Sequence, residues 1–186
     1  QSLSGPRMAT YMRESGHNRL YAAELYKWNA RLAGALVFPL HIAEVTLRNA
    51  LHEGLTSAFG PNWPFDERLR DIKRSRNQSQ AFVINAVNKS AERIAKDGKT
   101  QTVDQIVANM NFEFWTGILH RDYENNIWNN RVKSIFPNLE EHQSRDDIEN
   151  LAHLVRKLRN RVSHHEPVFG TGVNITQRHS DIIKLI

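Results

Sequence analysis

No stretch of this chain alternates apolar and polar side chains long enough to build a strand, whereas apolar residues recur at spacings of three and four throughout. That constrains it to helices packed on helices, an all-α fold. The clearest case runs from Asp146 to His165, where Ile148, Leu151, Val155, Leu158 and Val162 fall 3-4-3-4 and mark one buried helix face. Pro167 disfavours helical geometry at Glu166, so this helix is expected to end near His165.

The other elements follow from the same reading. A helix is expected from about Arg19 to Val37, with Leu25, Trp28, Leu32 and Leu36 inward, and Pro39 either kinks it or opens a new one. The next carries Leu40, Ala43, Leu47, Ala50 and Leu51 inward and stops before Gly60-Pro61-Asn62-Trp63-Pro64. Val83, Val87, Ser90 and Ile94 mark a helix closed at Asp97-Gly98. Thr102-Val103-Asp104-Gln105 reads as a capping box opening one helix with Ile106, Val107, Met110, Phe114 and Ile118 as its stripe. A helix with Trp128, Val132, Ile135 and Phe136 ends at Pro137, and a short last one includes Ile175, Ile182 and Ile186.

The 186 residues suffice for one domain with a real core, and no composition break asks for a second, so residues 1–186 read as a single domain. There are no cysteines, which removes disulfide and thiolate chemistry and suits a cytoplasmic setting. No apolar run approaches membrane-spanning length, and Gln1-Ser2-Leu3-Ser4-Gly5-Pro6 is not a signal peptide, so no membrane partner is expected. Glycine-rich phosphate loops and His-Glu-x-x-His spacing are absent, so neither a cofactor nor a metal is expected. A net charge of +5 makes a polyanion such as RNA a plausible partner. The basic run after Arg68, with Arg70, Lys73, Arg74 and Arg76, is the candidate RNA-binding stretch, its default reading being a solvated face.

Arg159-Asn160-Arg161-Val162-Ser163-His164-His165-Glu166-Pro167 concentrates acid/base, cationic and amide groups at one helix exit. Histidine gives or takes a proton near neutrality, and arginine grips phosphate oxygens with a planar fork. At about 100° per residue, Asn160 and His164 share the side opposite the apolar stripe, while Arg159 and His164 diverge by about 140°. Bringing both onto one phosphate therefore needs a distorted last turn or a site combining two helices, from one or two subunits. Glu44 and Arg48, four apart, most simply form an intrahelical ion pair, and positioning an active-site Arg is the sharper alternative.

With these residues in view, the chain resembles the HEPN superfamily, whose Arg-Asn-x3-His pattern matches Arg159, Asn160 and His164. The string LRNRVSHHEP, Leu158 to Pro167, is similar more narrowly to the Abi-like (AbiD/AbiF) proteins of bacterial phage defence. Tyr26-Lys27-Trp28-Asn29, Glu44-Val45-Thr46-Leu47-Arg48-Asn49 and Asp104 to Asn109 with Phe112, Phe114 and Trp115 agree with it in order, over roughly residues 20–169. The resemblance implies a HEPN-like helical bundle and a metal-independent endoribonuclease of an abortive-infection or toxin-antitoxin system. Arg159, Asn160 and His164 would be catalytic, with Glu44, Arg48, Asn49, Arg161, His165 and Glu166 supporting them. It also implies a homodimer acting on RNA, with a small-RNA antitoxin as a possible restraint. The alternative is a catalytically silent HEPN module that binds RNA or a partner protein.

Overall fold

Residues 4–72, 82–170 and 173–186 are described by a computed structural model, and among them every regular element is helical. The helices are α1 (Gly5–Glu14), α2 (Arg19–Phe59), α3 (Glu67–Arg70), α4 (Phe82–Lys96) and α5 (Val103–Asn109). They are followed by α6 (Phe112–Ile118), α7 (Val132–Ile135), α8 (Arg145–Ser163) and α9 (Ile175–Leu185). The chain forms two compact units: unit 1 is Gln1–Ala43 with Leu154–Ile186, and unit 2 is Glu44–His153. Helices α2 and α8 each contribute residues to both.

Helix α2 runs through Pro39 without interruption. Proline removes one backbone donor there, but Leu36, Leu40, Ala43, Leu47, Leu51 and Leu55 keep one buried seam across that point, and packing outweighs the local defect. Trp28, expected inward, is 47% exposed; it touches Phe169 edge-on at 5.9 Å. By length and composition α2 also contains an 18-residue stretch, mean hydropathy 1.3, apolar enough to cross a membrane, with 22% of that stretch buried. The expectation that no apolar run reaches that length is thereby corrected.

Unit 2 is built around aromatic rings. Trp63, Phe114, Trp115 and Trp128 are all at most 1% exposed. Trp63 and Phe114 stack at 6.0 Å, and Phe82 stacks on Phe114 at 5.5 Å. The indole of Trp63 donates to His52 Nδ1 at 3.0 Å, and that of Trp128 to the Ile118 carbonyl at 3.1 Å. Gly117 is where a side chain is excluded: a Cβ there would lie 2.5 Å from the tip of the Phe82 ring. Helix α4 buries Val83, Val87, Ser90 and Ile94 as expected. Its end is a left-handed Gly98 (φ +66°), with Gly98 N–H donating to Ala95 and Lys99 N–H to Ile94.

Two expected helices are each two elements. The stripe from Ile106 to Ile118 breaks at Met110, because Asn111 turns its side chain onto the Phe114 N–H and starts α6 afresh. The stretch through Trp128 and Phe136 divides at left-handed Asn130 (φ +64°), leaving a wide turn over Glu124–Trp128 and the short α7. Helix α1 was not foreseen; it places Tyr11, 1% exposed, against Tyr26 and Phe169 in unit 1.

Within unit 2, Arg145 opens α8 as a buried cation, 5% exposed. Its Nε donates to Glu124 at 2.6 Å and its Nη1 to Glu149 at 2.6 Å, with further bonds to Asp146 and the Leu119 carbonyl. Burial alone would lower its pKa, but the hydrogen bonds to Glu149 and Glu124 and the charge of Asp146 outweigh that and raise it.

Candidate functional site

The exit of α8 is shaped by backbone before side chains. The helix is regular up to its end: His164 N–H still bonds the Asn160 carbonyl at 2.9 Å. His165 then turns left-handed (φ +56°), its N–H reaching the Val162 carbonyl at 3.1 Å, while Glu166 N–H reaches Arg161 at 2.8 Å. This is the double-bonded helix stop usually completed by glycine. A non-glycine residue in that conformation costs about 1–2 kcal/mol.

Two tethers hold the chain beyond the turn. Arg161 Nη1 donates to the Pro167 carbonyl at 3.2 Å. The Val168 N–H donates to the Asn29 side-chain oxygen at 2.8 Å, with Asn29 4% exposed and Val168 fully buried. Phe169 then packs between Tyr11 and Trp28. His164, His165 and Glu166 are left exposed on a short arch fixed at both feet.

Asn160 and His164 are both exposed and one helical turn apart, on the side opposite buried Val155 and Leu158. Neither side chain has a hydrogen-bond partner among the described residues. Arg159 is half-buried. Since the last turn keeps its helical bonding through His164, no distortion closes the angle between Arg159 and His164. Arg161 has a structural task, gripping the Pro167 carbonyl. His165 is exposed, and it is the turn residue itself.

Glu44, Arg48 and Asn49 belong to α2 in unit 2. Arg48 Nε donates to Asn49 Oδ1 at 3.3 Å. Of the basic run, Arg68 is held by Asp66 at 2.7 Å, which pulls the Asp66 carboxyl below its usual range through that hydrogen bond. Arg70 is half-buried, with its Nε enclosed and lacking a partner, a poorer phosphate contact than a solvated arginine. Lys73, Arg74 and Arg76 lie outside the described residues. Among the described residues no three His, Asp or Glu side chains converge as metal ligands.

Sequence reasoning missed the working part of Asn29. Its motif neighbours drew attention, but a lone Asn facing inward from an apolar helix was the available signal, since a buried amide has to find a backbone partner. No protein-family model, curated protein or solved structure matches this chain.

Proposed function

We propose that the chain is a metal-independent endoribonuclease of the Abi-like group within the HEPN superfamily, acting in a bacterial phage-defence or toxin-antitoxin system. The observation that carries this reading is the arch at the end of α8: exposed Asn160 and His164 on one face, followed by a left-handed His165 where glycine would be cheaper. Strained residues persist where surrounding structure holds them, and they concentrate at functional sites.

The chemistry follows from the RNA itself. Its 2′-OH attacks the adjacent phosphorus, the bond to the 5′-oxygen breaks, and the products are a 2′,3′-cyclic phosphate and a 5′-OH. His164 transfers a proton to or from these oxygens, worth roughly 10²–10⁴ in rate. Arg159 supplies positive charge to the non-bridging oxygens, and Asn160 orients His164 or donates to the phosphate. Because Arg159 and His164 diverge by about 140° on one helix, the enzyme works as a two-fold dimer in which each copy completes the other's site.

The test is cleavage of RNA by the purified protein in EDTA. The expected products carry cyclic phosphate, and His164→Ala should lose at least about 10²-fold in rate with its helical circular dichroism unchanged. A variant that cuts as fast as its parent removes His164 from the chemistry. RNA binding by the parent without any cleavage would favour the silent module instead.

A further inference from the structure

Unit 2 contains a cavity of about 300 Å³, at the small end of the range for ligand sites. One wall is α4, where Asn85, Lys89 and Arg93 recur every four residues and so project along one face. The opposite wall is the break between α5 and α6, with Met110 and Asn111. Phe82 and Phe114 form its apolar part, and half-buried Phe82 stacks on Phe114, which stacks on Trp63.

Its polar groups are under-used. Arg93 Nη1 donates to the Asn109 carbonyl at 3.0 Å, which pins the guanidinium in the wall. Its remaining N–H groups and the exposed Lys89 ammonium have no partner among the described residues. Ser90 also lines the cavity, 1% exposed, its hydroxyl buried without a hydrogen bond. An enclosed hydroxyl left unmatched is costly unless something else supplies the partner.

A flat ring surface, two cations one turn apart, and amide and hydroxyl groups between them match one chemistry. We propose that this cavity binds a nucleoside monophosphate unit. The base packs against the aromatic wall of Phe82 and Phe114, the phosphate lies on Lys89 and Arg93, and Asn85, Asn111 and Ser90 meet polar edges of the base or sugar. Such a unit can be a free nucleotide or one nucleotide of an RNA strand. The cavity lies in unit 2 and Arg159–Glu166 in unit 1, so the proposal is testable in a protein unable to cleave.

The full chain carrying His164→Ala is titrated calorimetrically with the four ribonucleoside 5′-monophosphates, ribose 5-phosphate and a short single-stranded RNA. We expect one-to-one saturable binding of a monophosphate, at least about tenfold tighter than ribose 5-phosphate. Lys89→Glu and Ala86→Trp, the second filling the cavity, should each weaken it at least about tenfold. Competition between RNA and the mononucleotide identifies a strand as the source; binding of the mononucleotide without competition identifies a free nucleotide. No saturable binding by any nucleotide or RNA overturns the proposal, as does binding that survives both variants. Should Ala86→Trp fail to fold, Lys89→Glu decides, since Lys89 is exposed.

Discussion

Units 1 and 2 end a helix with the same pair of backbone bonds but with different residues at the left-handed position. In unit 2 it is Gly98, which adopts φ +66° at no steric cost. In unit 1, α1 closes the same way on Gly16 (φ +61°), but α8 closes on His165, at φ +56°, which does so at a cost. The contrast extends to the interiors. Unit 2 encloses Trp63, Phe114, Trp115 and Trp128 and clamps α8 with buried Arg145, whereas unit 1 leaves Leu20, Tyr21, Val37 and Phe38 exposed. One unit is organised for packing. The other places a strained turn at His165 beside exposed His164 and Glu166.

The largest expected effect tests the clamp. Arg145→Ala should lower the unfolding free energy by about 3 kcal/mol, at the low end for a broken buried ion pair, because Glu124 and Asp146 remain partly hydrated at 41% and 72% exposure. A urea midpoint shift worth less than about 1 kcal/mol would make this an ordinary surface pair and weaken the contrast. Arg145→Met, which keeps the packing, separates charge from volume.

A smaller effect is expected in unit 1. Asn29→Ala leaves the buried Val168 N–H unmatched and should cost about 1–3 kcal/mol. Hydrogen exchange should show faster exchange at Val168 with unit 2 amides unchanged. If protection falls equally in both units, they do not differ in the way described.

The smallest effect has the opposite sign. His165→Gly should stabilise by up to about 1 kcal/mol, the relief of left-handed strain being partly offset by glycine's greater freedom in the unfolded chain. Stability that rises while RNA cleavage falls would assign the strain to the site. Stability that does not rise would mean His165 makes compensating contacts, and the comparison with Gly98 would fail.

What could be read in advance depended on whether local and tertiary preferences agreed. Helix α4 was legible because Val83, Val87, Ser90 and Ile94 repeat cleanly and Gly98 closes them. The break at Met110 was not, since the apolar stripe continues across it while Asn111 competes for the backbone, and short polar side chains win such contests without disturbing the hydrophobic pattern. Pro39, read as either a kink or the start of a new helix, does not start one: it lies inside continuous α2. At the candidate site the exposed face of Asn160 and His164 followed from helical periodicity alone. The left-handed turn at His165 and the grip of Asn29 on Val168 did not, because both depend on where the returning chain is tied.

That tie joins residues 139 positions apart, which bears on when the site comes into existence. Residues 44–153 are contiguous and can close their own core once made, but unit 1 needs both its early and its late segments. Synthesis delivers the N-terminal part first, so the half of α2 carrying Asn29 waits, with its apolar face uncovered, through the making of more than a hundred further residues. The arch bearing His164 is therefore among the last features to form. A protein that cuts RNA in this way would be harmless to the message and ribosome producing it until Val168 has been added and released to find Asn29.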